Sequence, residues 1–197
     1  MKHTTNNPLM NINDKLLHIN VDPNKGETCF VEILERIENQ MTAALSRHNR
    51  ILVVRQDLHM AGYTQDNEII SIFLRSFKKV LVRKYKLTYI GHIWVREKES
   101  VDNQHYHLAM LIDGNRVQHP EIFIERAEEL WQSMGHPKPY TPPNCFTMVA
   151  RGNKAAFVEA FYRLSYFAKT RGKGRRNKTA NDYGSSRIKA KISNETN

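Results

Sequence analysis

Leu87-Thr88-Tyr89-Ile90-Gly91-His92-Ile93-Trp94-Val95-Arg96-Glu97 and Gln104-His105-Tyr106-His107-Leu108-Ala109-Met110-Leu111-Ile112 flank a short polar run at 98–103, and Asp113-Gly114 closes the second stretch. Both are dense in aliphatic and aromatic residues and bounded by turn formers, so they read as the two strands of a hairpin. Before it, Thr28 can cap a helix over 28–47, with Ile33, Leu34, Ile37, Met41, Ala44 and Leu45 at helical spacing. A strand over 50–59 and a helix over 67–85 follow. Beyond the hairpin the pattern predicts a helix over 120–134, a short strand over 145–150 and a final helix over 153–170. Four prolines make 135–144 irregular. This order predicts an α+β sandwich around an antiparallel sheet.

The length of 197 residues suits one domain. The expected division is a flexible lead-in at 1–26, Asn-rich and ending in a turn cluster, a main domain at 27–170, and a basic, partly disordered extension at 171–197. With only Cys29 and Cys145, a disulfide framework or a thiolate zinc site is excluded as the organising feature. The longest apolar runs, Ile51-Leu52-Val53-Val54 and Ile69-Ile70-Ser71-Ile72-Phe73-Leu74, fall far short of the roughly 20 residues of a membrane helix. The polar N-terminus lacks the apolar centre of a signal peptide. A cytoplasmic protein with no membrane partner is expected.

Thirty Lys and Arg against 20 Asp and Glu leave a formal charge of +10, which points to an anionic partner, with nucleic acid first. The charge is uneven. Residues 169–197 hold nine bases and two acids, whereas the first 168 hold 21 and 18. Arg171, Lys173, Arg175, Arg176 and Arg187 are therefore candidate phosphate contacts in a stretch too polar to bury a core of its own. Arg55, on the first predicted strand, is another.

On a strand, His105 and His107 project to one face, and Tyr106 and Leu108 to the other. Two imidazoles so spaced can share a metal ion if a third ligand lies near. Glu97 is the natural candidate, because pairing across the turn brings it beside His105. Imidazole preference alone leans to zinc, but one carboxylate, two imidazoles and open water positions also suit Mn²⁺ or Mg²⁺ serving a phosphate. Asp57 and His59 share a face of the 50–59 strand; they border this site or form a strand-end pair.

In the final helix, Phe157, Phe161, Leu164 and Ala168 make the apolar stripe, and Tyr162, Tyr166 and Lys169 cluster on another face. The tyrosines are either amphipathic packers at the core's edge or a nucleophile with its neighbour. A tyrosine hydroxyl attacks a phosphodiester when a metal polarises the phosphoryl oxygens and a cation such as Lys169 supports the charge.

Together these residues resemble the HUH endonuclease superfamily, and more narrowly the inovirus-type and prophage rolling-circle replication initiation proteins. The likeness is carried by Leu52-Val53-Val54-Arg55-Gln56-Asp57-Leu58-His59, Trp94-Val95-Arg96-Glu97, His105-Tyr106-His107-Leu108, Tyr162-Arg163-Leu164-Ser165-Tyr166-Phe167-Ala168-Lys169 and Tyr183-Gly184-Ser185-Ser186-Arg187. It implies a ferredoxin-like HUH palm, a central antiparallel sheet with flanking helices. It also implies His105, His107 and Glu97 as ligands of Mg²⁺ or Mn²⁺, and Tyr166 as the nucleophile that nicks one DNA strand. The products are a 5′-phosphotyrosine and a free 3′-OH, and Tyr162 matches the second tyrosine of some initiators. Single-stranded or supercoiled origin DNA is the implied substrate. A host helicase and polymerase are implied partners, since the chain has no P-loop. The alternatives are a catalytically silent basic DNA-binding regulator and an HUH-type tyrosine transposase.

Overall fold

The alternation of the hairpin strands sends half of their side chains to each side of a sheet, and in the folded chain helices cover both. In this computed structural model residues 3–98, 104–174 and 180–191 are described. In chain order the elements are β1 (Thr4–Thr5), β2 (Leu9–Ile12), β3 (Lys15–His18), β4 (Cys29–Phe30), α1 (Val31–Arg47), β5 (Arg50–His59), α2 (Glu68–Tyr85) and β6 (Gly91–Lys98). They continue with β7 (Gln104–Asp113), α3 (Glu121–Ser133), β8 (Phe146–Ala150), α4 (Lys154–Ser165) and β9 (Tyr183–Ser185). The main sheet runs β8-β5-β7-β6-β9, antiparallel throughout. The fold class is therefore α+β, as expected. The stretch β5-α2-β6-β7-α3-β8 places its four strands in the spatial order fourth, first, third, second.

Ile51, Val53, Ile93, Val95, Ala109 and Leu111 form one core with α1 and α4. Leu52, Val54, Leu58, Trp94, Tyr106, Leu108, Met110 and Ile112 form the other with α2 and α3. Each fully buried Val, Leu, Ile or Met among them contributes about 1.5–3 kcal/mol, so both faces of the sheet are held by packing. No helix among the described residues is long and apolar enough to cross a membrane.

Three local expectations are corrected. The stretch read as a loose lead-in carries the β2–β3 hairpin, turned at Asn13 and Asp14, both with positive φ. Ile12, Leu17 and Ile19 are buried in the α1–α4 core. Strands of four residues among asparagines are too short to show a period, but their apolar residues suffice to dock them. The final helix stops at Ser165, and Tyr166–Ala168 is a single 3-10 turn. Buried Ser165 donates its hydroxyl to the Tyr162 carbonyl at 2.6 Å and accepts the Asn20 amide at 2.8 Å. Such back-bonding bends helices. Finally, β9 pairs with β6, placing Gly184 opposite Trp94.

That pairing needs the glycine. A Cβ at Gly184 lies 2.6 Å from Trp94 Cζ2, and the indole is itself buried. Gly184→Ala is expected to cost about 1–3 kcal/mol by overpacking, measured by urea unfolding. Unchanged stability overturns this account of the sheet edge.

Candidate metal centre

β7 lies between β5 and β6, and its register sets the centre. Glu97 and His59 both stand opposite His105, while Asp57 and Val95 stand opposite His107. Paired residues share a face, so two adjacent rungs bring Glu97, His105 and His107 together as expected. All three are buried. His105 Nε2 is 3.2 Å from His107 Nε2 and 3.6 Å from Glu97 Oε2, and His107 Nε2 is 3.2 Å from Glu97 Oε2. Donors about 2.1 Å from a shared ion stand about 3.0 Å apart at right angles and about 3.4 Å apart at the tetrahedral angle. The trio thus fits a divalent metal ion.

A second layer fixes the ligands. Asp57 Oδ1 accepts from His107 Nδ1 at 2.7 Å, which leaves Nε2 as the donor atom for a metal. Asp57 is in turn gripped by Arg55 Nε and Nη2, each at 3.1 Å. Burial pushes the Asp57 carboxyl up, but the His107 and Arg55 contacts outweigh it and hold it below the usual range. Burial likewise disfavours His107 as a cation, yet Asp57 and Glu97 raise it overall. In Glu97, burial is outweighed by the two imidazoles and Lys173, and its carboxyl lies well below the usual range. His59 stacks on His105 at 5.5 Å, and burial followed by the charge of His105 lowers it. Asp57 and His59 therefore both belong to the centre.

The basic segment behaves differently from its sequence reading. Lys98 N donates to Gly172 O at 2.9 Å, laying residues 170–174 along β6. Gly172 has φ +72°, and a Cβ there would lie 3.3 Å from Glu97 Cβ. The strap drives Lys173 inward. Its ammonium, wholly buried, bonds Glu97 Oε1 and, at 2.6 Å, the Lys169 carbonyl. Lys173 is thus a partner of the metal-site carboxylate, correcting its reading as a phosphate contact. Only Oε2 of Glu97 is left to face the imidazoles. Lys169 Nζ bonds both oxygens of Glu27, at 3.0 and 2.8 Å. Arg171 borders the same cavity as Glu97. Arg187 is exposed beside the opposite end of β6, where Ser186 N bonds His92 O, and does not join the centre. Arg175 and Arg176 lie outside the described residues.

Tyr166 reaches the centre. Its ring meets His107 edge-on at 5.6 Å, with Arg55 Cζ at 4.8 Å and Lys169 Nζ at 5.1 Å over its face. Phe167 stacks on the same imidazole at 5.6 Å. A cavity of about 400 Å³ opens between Glu97, Tyr166, Lys169 and Arg171. Tyr162, one helical turn earlier, is 43% exposed. Tyr166 opens the 3-10 turn that follows α4, with the backbone of both Ser165 and Tyr166 still right-handed helical.

Residues 13–136 match the family model of the YagK/YfjJ C-terminal domain. The chain belongs to that family. No curated protein and no solved structure matches it. The YagK/YfjJ span includes Asp57, Glu97, His105 and His107, while Tyr166, Lys169 and Lys173 follow it. The candidate metal ligands and the tyrosine turn thus come from different parts of the chain with respect to the family boundary.

Two outcomes follow from this geometry. Asp57→Ala is expected to weaken Mn²⁺ binding about 10–100-fold in an electron paramagnetic resonance titration, with the circular dichroism retained; undiminished binding removes Asp57 from the centre. Lys173→Met frees Oε1 and removes a neighbouring positive charge, so the same titration is expected to show Mn²⁺ bound about tenfold more tightly. Equal or weaker binding contradicts the role given to Lys173.

Proposed function

We propose that this protein is a metal-dependent DNA nickase and ligase of the HUH type, initiating rolling-circle replication of a phage or prophage element through Tyr166. The observation that carries the reading is the contact between the Tyr166 ring and His107, which sets a phenol beside three convergent metal donors. The fourth-first-third-second strand order within the antiparallel sheet supports a ferredoxin-like palm. Its two central strands, β5 and β7, carry Asp57 and both histidines.

Glu97, His105 and His107 would hold Mg²⁺ or Mn²⁺, which supplies Lewis-acid polarisation of a phosphoryl oxygen. Asp57 keeps His107 in the right tautomer, and Lys173 keeps Glu97 ionised and single-handed. A DNA strand would enter the cavity between Tyr166 and Arg171. Tyr166 Oη bonds to phosphorus as the P–O3′ bond breaks; the phenol loses its proton and O3′ gains one. A 5′-phosphotyrosine and a free 3′-OH result, and attack by a 3′-OH reverses the step and religates. Arg55 and Lys169 lie over the ring and are available to an incoming phosphate that displaces Asp57 or Glu27. Tyr162, one turn back and exposed, is the candidate second nucleophile. Origin DNA is the substrate, with a host helicase and polymerase for unwinding and synthesis.

The pairing of Arg55, Lys169 and Lys173 with acids favours a second reading, a catalytically silent DNA-binding regulator. Incubation with a random single-stranded oligonucleotide pool and Mn²⁺, followed by mass spectrometry, separates the two. A covalent adduct on Tyr166 is expected, lost on chelation and in Tyr166→Phe. No adduct from the wild type rejects the enzymatic reading. An adduct on Tyr162 alone moves the nucleophile, and transfer of the strand to a second duplex indicates a transposase.

A further inference from the structure

The cations nearest the metal centre are committed to acids, but a different set is not. On α2, Arg75, Lys79 and Arg83 follow one another at four-residue intervals, and Lys86 continues the row just past the helix end. All four are exposed, and none has an ion-pair partner among the described residues. At about 100° per residue the three helical members fall within about 80° of arc, and they repeat about every 6 Å along the axis. Like charges four residues apart weaken a helix. Elsewhere this chain offsets such charges within one turn, as in Arg126–Glu129 and Arg163–Glu159. Across the α2–α3 groove, Glu129 is already taken by Arg126. Arg83 and Lys86 gain from the negative end of the helix, but Arg75 and Lys79 do not, and no acid among the described residues offsets any of the four, so the row presents its charge outward to an anionic partner.

We infer that the outer face of α2 binds the phosphate backbone of duplex DNA, on the opposite side of the sheet from the metal centre. Along the duplex axis two base-pair steps span about 6.8 Å, close to the 6 Å repeat of the row. A duplex carries one negative charge per about 1.7 Å of its axis, twice the density of either strand alone, so a fixed row of cations gains most against it. The placement also suits the proposed reaction, on which the assignment of a DNA partner rests. Asn67, at the start of α2, accepts from Tyr106 Oη at 3.1 Å and from Arg96 Nη1 at 3.2 Å. Tyr106 stands between the two metal histidines in sequence, so α2 begins directly behind the centre. A duplex lying along α2 would point its end at the strand ends where a single strand is cut. An anionic membrane is the competing partner for a basic helix face, but only Ile72 and Val82 are exposed large apolar residues on α2, too few to insert.

The test compares the wild type with Arg75→Ala/Lys79→Ala/Arg83→Ala. Alanine favours helix, so the variant retains its fold, checked by circular dichroism. Fluorescence anisotropy with a random-sequence duplex is expected to show affinity reduced about tenfold or more. The slope of log affinity against log salt should fall by close to three, about 0.9 per cation removed. Unchanged duplex affinity and slope overturn the proposal, as does a loss confined to phosphatidylserine vesicles. Covalent labelling of Tyr166 by the single-stranded pool should be equal in both proteins. If neither protein is labelled while duplex binding still falls, the nicking reading fails and the duplex surface stands.

Discussion

The register of β7 between β5 and β6 is the constraint on which the centre depends, because a slip of one residue would turn His105 and His107 away from Glu97 and Asp57. The opposite face of the same strand guards against that slip. Gln104 and Tyr106 alternate with the histidines, and there Gln104 Oε1 accepts from Arg96 Nη2 at 2.8 Å while Tyr106 Oη bonds Asn67. Arg96 also bonds the Asp66 carbonyl at 2.7 Å and the Thr64 carbonyl. The buried polar network behind the sheet is nearly closed on itself, so it admits one pairing. Fastening the back of the strand positions the ligands at the front.

Electrostatics then follow from burial. Glu97 and Asp57 are carboxylates removed from water, and each is tolerated because cations and imidazoles surround it. Lys173 and Arg55 are spent on those acids, and Lys169 on Glu27. The charge that distinguishes this chain is therefore not free where the chemistry would occur. It is free on α2. A formal +10 thus describes two populations of cations, one that completes a buried site and one exposed to solvent and available to a partner.

The hairpin and the meeting of Glu97, His105 and His107 were legible because both are short-range facts. Period-two alternation placed the histidines together, and one turn brought Glu97 back beside them. The α+β antiparallel architecture was legible for the same reason, since each long element carries its own periodicity. The lead-in was misread because β2 and β3 are too short to show a period, and their stability comes from Ile12, Leu17 and Ile19 docking on a core formed by distant residues. The end of α4 was misread because Ser165 looks like any helical serine until Asn20 donates to it across the fold. Asp57 shared a parity with the histidines, but nothing local said that β5 would lie against β7.

By itself the sequence determined which residues could be ligands, which strand carried them, and that a tyrosine followed on a later helix; these depend on spacing along one element. Only the tertiary structure decided which of them meet. It put Tyr166 rather than Tyr162 against His107, turned Lys173 from a surface base into a buried partner of Glu97, and left the cations of α2 unopposed. The physical reason is that a side chain's type is local, whereas its burial and its partners are set by segments that pack against it from elsewhere in the chain.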